Sequence, residues 1–195
     1  MLEMPQTNYH LDQGNRLYQR LSSRIPVGFA IAFLRFSKNG RVQQLLHALK
    51  YKGLPELGVM LGKVYAQKLK DEGIGKDING IVPVPLHSAK KRQRGYNQSE
   101  KFAEGLSDIL EVPYFNNILI RTTKTQTQTT KSKLARWDNV KAVFEVRTAA
   151  LPHVGSKHLL LVDDVITTGA TLEACWEALR NSGVQKISVA CLAEA

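Results

Sequence analysis

At 195 residues, 43% hydrophobic and 23% charged, the chain can bury one sizeable core and is short for two ordinary domains. No run approaches the roughly 18 consecutive apolar residues of a spanning helix, and the opening MLEMPQTNYHLDQGNR lacks the charged-then-apolar layout of a secretory signal. These features exclude an obvious membrane partner and make a cytoplasmic location the expectation, while a net charge of +10 directs attention to anionic partners: nucleic acid, nucleotides or polyphosphates.

In chain order, residues 1–28 read as an N-terminal extension without a motif, and residues 29–195 as one domain of alternating strands and helices. Phe29 to Phe36 is predicted as a strand, SKNG as a turn, and RVQQLLHALKYKG as a helix with Val42, Leu45, Leu46 and Leu49 on one face and a stop near Gly53. A second helix follows, with Leu57, Met60, Leu61, Val64 and Leu69 at helical spacing up to the loop KDEGIGKDING. IVPVP (81–85) reads as a short strand, LHSAKKRQRGYN as a long polar loop, and QSEKFAEGLSDIL as a helix burying Phe102, Leu106, Ile109 and Leu110.

After Pro113, YFNNILIR leads into TTKTQTQTTKSKLARWDN, a threonine- and lysine-rich stretch with almost no apolar periodicity, predicted as a mobile loop. Strand character resumes at VKAVFEV, and the apolar run 159–162 suits a strand buried on both faces of a parallel sheet. A helix over about Thr171 to Asn181 places Leu172, Cys175, Trp176 and Leu179 inward and stops near Gly183, before the last strand KISVACL. The only cysteines, Cys175 and Cys191, lie in apolar segments and form no C-x-x-C pair, so buried free thiols are expected rather than zinc or a disulfide framework. The alternation implies a parallel α/β sheet with its ligand crevice beyond the carboxyl ends of the strands.

The chemistry concentrates in LLLVDDVITTGAT, residues 159–171. Asp163 and Asp164 stand at the strand exit, and Thr167, Thr168, Gly169, Ala170 and Thr171 combine hydroxyls, a permissive glycine and the free N–H groups of a helix start. That loop is a phosphate cradle. The adjacent carboxylates would repel a phosphate but accept hydrogen bonds from hydroxyls, so a sugar phosphate satisfies both halves. A Walker B strand is the competing reading, yet the nearest glycine-rich candidate, GVMLGKV (58–64), is one residue short and lacks the hydroxyl. The plain alternative is an ordinary strand exit followed by an ordinary helix cap.

LLLVDDVITTGAT resembles the 5-phosphoribosyl 1-pyrophosphate (PRPP) motif of type I phosphoribosyltransferases. LKYKG (49–53), VPVPLH with RGYNQSE (82–100), LIRTTKTQTQT (119–129) and ARWDNVKAVFEV (135–146) narrow the resemblance to the competence-protein-F-like (ComF) family. It implies the type I phosphoribosyltransferase fold, a central parallel sheet flanked by helices with a small N-terminal or hood region. It also implies transfer of phosphoribosyl from PRPP to a nitrogen acceptor, with release of pyrophosphate. The catalytic residues would be Asp163 and Asp164 on the ribose, with residues 167–171 on the 5′-phosphate. Pro85, Leu86, His87, Ser88, Lys90, Arg94 and Lys50 would meet the pyrophosphate, with Mg²⁺ carried by PRPP rather than by a site of the protein alone. His87 reads as structural more than catalytic, and the run KKRQR also reads as a solvated charged face.

The resemblance further implies a flexible hood over about 121–140 that closes on PRPP, with Gln128 and Arg136 as its candidates. The alternative function under the same resemblance is a PRPP-responsive accessory protein in DNA uptake, binding single-stranded DNA or a helicase partner. Trp137 and Tyr96 would then be the stacking platforms, although only 7% of the chain is aromatic. Dimerisation is common among similar folds, but no residue here fixes it. Three features depart from the pattern. No cysteine precedes Cys175, so the cysteine-rich zinc ribbon with which such proteins generally begin was either removed or is lacking in this member, and no metal site is carried over to the N-terminus. Thr167 stands where purine-type enzymes place an aspartate, which argues against a 6-oxopurine acceptor. Lys90 and Lys131 replace a more usual arginine and apolar residue.

Overall fold

The computed structural model describes residues 15–122, 144–147, 149 and 157–195. Gln128, Arg136, Trp137 and Lys131 lie outside the described residues. The framework is a four-stranded parallel sheet of β1 (Ala30–Arg35), β6 (Lys186–Glu194), β5 (His158–Ile166) and β2 (Gly80–Pro83), in that order. Its two central strands are the most continuously apolar, and nearly every residue from Leu159 to Val162 and from Ile187 to Ala193 is buried. Burial on both faces explains why these runs show no alternation. Beyond β2, Tyr114 bridges Ile81 in parallel, and Phe115 N–H donates to the Ile81 carbonyl at 2.8 Å, so the segment after Pro113 prolongs the sheet edge. Among the described residues, β3 (Leu119–Arg121) and β4 (Phe144–Val146) form a separate antiparallel pair.

One face of the sheet carries α2 (Arg41–Tyr51), α3 (Pro55–Asp71) and α5 (Gln98–Leu110). Val42, Leu46 and Leu49 of α2 are buried as expected, with Leu45 packed partly buried beside them. In α3 the buried stripe is Gly58, Leu61, Gly62, Tyr65, Ala66 and Leu69, so Met60 and Val64, expected inside, are 54% and 48% exposed. The glycines are the reason. A Cβ on Gly62 would fall 2.9 Å from Gly105 Cα and against the Phe102 carbonyl, so α3 turns its small residues toward α5 and rotates Met60 and Val64 outward. The run GVMLG is thereby accounted for as a helix-packing face. Phe33, Tyr65 and Phe102 stack across this layer, with ring centroids 4.9 and 6.0 Å apart. Within α5, Phe102 and Leu106 are fully buried, and Ile109 and Leu110 pack at the margin.

The other face is covered by α1 (Arg16–Ser22) and α6 (Ala170–Asn181), together with β3 and β4. Asn15 caps α1 by accepting from the Leu17 and Tyr18 N–H groups, and its amide donates to the Ala30 carbonyl at 2.7 Å. Leu17, Leu21, Ile25 and Val27 are buried in this core, so residues 17–27 pack on the sheet. Of the helix α6 residues expected inward, Leu172, Cys175 and Leu179 are buried and Trp176 is partly so. Cys175 and Cys191 are free and buried, and burial pushes both thiols well above their ordinary range. No helix among the described residues is long and apolar enough to cross a membrane.

The stretch expected as a long polar loop is the second correction. Residues Ser88–Arg94 form a short helix, α4, with no buried residue. Helical periodicity is invisible in SAKKRQR because a helix exposed on all sides buries no stripe. Its ends carry the signal instead. His87 Nδ1 accepts from the Ala89 N–H at 3.2 Å, and Gly95, at φ +81°, provides the left-handed turn that ends the helix.

Candidate functional site

The carboxyl ends of β5 and β2 meet the starts of α5 and α6. Strand β5 continues past the aspartates to Ile166, so Asp163 and Asp164 are its last turn toward the crevice rather than the residues after it. Asp163 is buried at 9% exposure; its Oδ1 accepts from Ser99 Oγ at 2.9 Å and from the Asp164 N–H at 2.8 Å. Burial, and then the neighbouring Asp164 charge, push its carboxyl up to about 7. Asp164 lies closer to solvent and is paired with Lys50, Nζ to Oδ2, at 2.8 Å. Lys50, expected on the pyrophosphate, therefore rests on the aspartate that would hold the ribose.

Residues 167–171, expected from sequence as a phosphate cradle, form the turn that opens α6. Gly169 caps α6 at φ +86°, and a Cβ there would approach Leu21 Cδ2 at 3.1 Å. The first intrahelical bond runs from the Glu173 N–H to the Gly169 carbonyl, so the N–H groups of Ala170, Thr171 and Leu172 have no intrahelical acceptor. Ala170 N–H has only a 3.4 Å approach to Thr168 Oγ1. Thr167, Thr168, Ala170 and Thr171 are exposed, and residues 165–172 line with Asp163 a small cleft of about 30 Å³. Donors, hydroxyls and the positive end of a helix thus converge on one small volume beside two carboxylates.

RGYNQS (94–99) supports this arrangement, and its parts have separate duties. Tyr96 is buried and donates to the Leu49 carbonyl, which anchors the end of α2 near Lys50. It is therefore not a stacking platform. Asn97 caps α5 by accepting from Ser99 N–H at 3.2 Å, and its amide donates to the Val84 carbonyl at 2.9 Å, locking the end of β2 to the start of α5. Ser99 then reaches Asp163. Sequence reasoning gave no role to Asn97 or Ser99, although Asn97 followed three residues later by Glu100 is a helix-start signal.

Among the residues expected on the pyrophosphate, Pro85, Leu86 and His87 are half-buried on the connection out of β2, and Ser88 and Lys90 are exposed on α4. Arg94 Nη1 donates to Gln98 Oε1 at 2.9 Å, and its guanidinium lies 5.2 Å from the Tyr51 ring centroid. Its Nε is buried without a hydrogen-bond partner among the described residues. Arg24 was not singled out from sequence; its Nη1 donates to the Thr168 carbonyl at 2.9 Å and lies 3.8 Å from Glu173. That contact ties the segment after α1 to the cradle, and no local pattern announces a bond spanning 144 residues.

A divalent cation fits the donor set in one way. Among the described residues no cluster of three or more metal-ligating side chains occurs, so Asp163 and Asp164 would supply at most part of a coordination shell. Magnesium commonly takes one or two carboxylates and completes its shell with water and substrate phosphates, which suits a cation arriving with a diphosphate.

A model of the phosphoribosyl transferase domain matches residues 53–195. Competence protein F of Haemophilus influenzae is 40% identical over 117 residues, 59% of this chain and 50% of that protein, so the chain spans half of that relative's length. The DNA utilization protein YhgH of Escherichia coli O157:H7 is 29% identical over 198 residues, covering 97% of this chain and 80% of the relative. Among solved structures, the glutamine PRPP amidotransferase of B. subtilis, complexed with ADP and GMP, has a TM-score of 0.48 at 22% identity, over 69% of this chain and 26% of that one. The purine phosphoribosyltransferase of Pyrococcus horikoshii has a TM-score of 0.42 at 21% identity, over 70% and 73%. With the domain match running from Gly53 to the last residue, the chain belongs to the phosphoribosyl transferase family, as a ComF/YhgH-type member with the type I fold.

Proposed function

We propose that the chain binds PRPP, with Asp163 and Asp164 on the ribose hydroxyls and residues 167–171 on the 5′-phosphate. The observation that carries this reading is the junction of β5 and α6, where two carboxylates stand beside a cradle of free N–H groups and hydroxyls. In this arrangement Ser99 and Lys50 hold the two carboxylates apart in orientation, and ribose hydroxyls replace the Lys50 contact on Asp164. The freed ammonium then faces the pyrophosphate, together with Ser88, Lys90 and Arg94 from the connection after β2. When bound with the diphosphate, Mg²⁺ supplies charge neutralisation.

In phosphoribosyl transfer the acceptor nitrogen lone pair forms a bond to ribose C1. The C1–O bond to pyrophosphate breaks, its electron pair leaves with the pyrophosphate, and the nitrogen proton passes to solvent. The basic residues favour the departing anion, while the aspartates hold the ribose as positive charge develops at C1. Calorimetry with PRPP and Mg²⁺ tests the binding. We expect saturable 1:1 binding that Asp164→Ala weakens by about 100-fold, the scale of two lost charge-assisted hydrogen bonds; no heat, or an unchanged affinity, overturns the reading.

The relatives' names, competence and DNA utilization, support a second reading in which PRPP binding serves DNA uptake or use. The observation favouring it is α4, which exposes Lys90 and Arg92 and whose last residue, Arg94, places its guanidinium over Tyr51, a ring 60% exposed. An exposed aromatic among cations is the arrangement a single strand uses for stacking and phosphate contact. Fluorescence anisotropy with a labelled oligonucleotide should show affinity falling steeply with salt, and Lys90→Ala with Arg92→Ala should flatten that slope by about two. An unaltered slope removes α4 from the interface.

A further inference from the structure

Arg24 rests against the cradle without lining its cleft. Its Nη1 donates to the Thr168 carbonyl at 2.9 Å and lies 3.8 Å from Glu173 Oε2 in the first turn of α6. The cleft itself is lined by Asp163 and residues 165–172. Arg24 follows α1, whose Leu21 Cδ2 lies 3.1 Å from where a Cβ on Gly169 would stand, so the α1 segment meets the cradle at two points.

Peptide geometry gives the Arg24 bond a consequence on the other side of the backbone. In a trans peptide the carbonyl and the N–H point in opposite directions, and no cis bond occurs among the described residues. Holding the Thr168 carbonyl toward Arg24 therefore turns the Gly169 N–H away from Arg24. That N–H has no hydrogen-bond partner among the described residues. The peptide at the entry to the cradle is tied in the same manner, with the Ala195 N–H donating to the Ile166 carbonyl at 2.9 Å. The Thr168–Gly169 peptide has more need of a tie. Gly169 stands at φ +86°, but glycine adopts negative φ as readily, so the peptide before it can flip at little cost. A flip would exchange the N–H for a carbonyl, whose partial charge repels a phosphate.

We infer that Arg24 is a positioning residue for the 5′-phosphate: its bond to Thr168 fixes the Thr168–Gly169 peptide so that the Gly169 N–H joins those of Ala170, Thr171 and Leu172 as a donor to the anion. This inference rests on the PRPP reading above. Arg24 touches no part of the ligand and acts through the backbone. Its charge also offsets Glu173, a carboxylate close to the place where the anion would sit.

Ribose 5-phosphate, which carries the phosphate and the ribose but no pyrophosphate to lose, is the probe. It is titrated by calorimetry into the full chain at about 0.1 M and about 0.5 M salt, the latter shortening the screening length to about 4 Å. We expect Arg24→Met to weaken binding at least about tenfold, the scale of one lost charge-assisted hydrogen bond, and by a similar factor at both salt concentrations. The melting temperature should stay within about 4 °C of wild type, because an exposed ion pair adds little stability. Arg24→Lys, which keeps a donor of similar reach, should recover most of the affinity. In an isotope-labelled chain the Gly169 amide proton should move downfield on adding ribose 5-phosphate to wild type and to Arg24→Lys, and not to Arg24→Met. Undiminished affinity in Arg24→Met, a deficit that vanishes at high salt, or a Gly169 amide that responds alike in wild type and Arg24→Met overturns the role. Failure of wild type to bind ribose 5-phosphate removes the PRPP reading and this role with it, whereas equal binding by wild type and Arg24→Met removes the role alone.

Discussion

The two ends of strand β5 treat buried polarity in opposite ways. At the amino end, His158 is buried with both ring nitrogens occupied, Nε2 with Ser188 Oγ at 2.9 Å and Nδ1 with the Asp77 carbonyl at 3.1 Å. Its own N–H donates to Asn79 Oδ1, and Ser188 Oγ also accepts from Phe29 N–H. Among the described residues, both His158 ring nitrogens and the Ser188 hydroxyl thus have local partners. At the carboxyl end two carboxylates are adjacent, one pushed up to about 7 and the other held by a lysine from a different helix. A Ser–His pair that resembles a reactive dyad is thus structural, and the acidic pair is the functional candidate. Partner count, more than residue type, separates the two.

Removing His158 should produce the largest effect. His158→Ala leaves a cavity and an unpaired Ser188 hydroxyl and is expected to cost ~2–4 kcal/mol in denaturant melts, with PRPP affinity unchanged. A loss of PRPP binding at constant stability would erase the distinction between the ends. Asp163→Asn should act in the other direction. Asp163 has a folded pKa above its unfolded value, so its ionisation destabilises the fold progressively as pH rises from about 4 toward 7. Asn retains an acceptor for Ser99 and carries no charge, so the variant should be more stable by ~1–3 kcal/mol at pH 8 and equal to wild type near pH 4. The smallest effect belongs to His158 itself. Burial first, and then Lys186, hold its pKa below the ordinary value, so its contribution is intact above about pH 6.5 and is lost as pH falls below that point. The melting temperature of wild type should therefore decline more steeply below pH 6.5 than that of His158→Asn.

The sequence made some of this legible and concealed the rest for physical reasons. The β5–cradle–α6 unit could be read directly because its meaning is local: an apolar run, two acids, hydroxyls, a glycine and a helix start within one short stretch. The buried strands were equally plain, since their runs are long and bounded. Helix α4 was hidden because periodicity reports burial, and SAKKRQR buries nothing. The rotation of α3 was hidden because Gly58 and Gly62 do not register as core residues, although their close approach to α5 decides which apolar side chains face out. Lys50 on Asp164, Ser99 on Asp163 and Arg24 on Thr168 are contacts between distant segments, and spacing along a chain cannot display them.

That division suggests a general reading of the site. In the proposed site one contiguous stretch would carry the chemistry, whereas its electrostatic setting is assembled from α2, α5 and the segment after α1. Variants in the contiguous stretch should weaken binding strongly, as with Asp164→Ala, and variants in the assembled setting should retune it. The most direct test of the central claim is a crystal structure of the chain with PRPP and Mg²⁺. The account predicts the ribose hydroxyls within hydrogen-bond distance of Asp163 and Asp164, Lys50 withdrawn from Asp164, and the 5′-phosphate seated on residues 167–171. A PRPP molecule bound with its 5′-phosphate elsewhere, or with its ribose turned away from both aspartates, would contradict it.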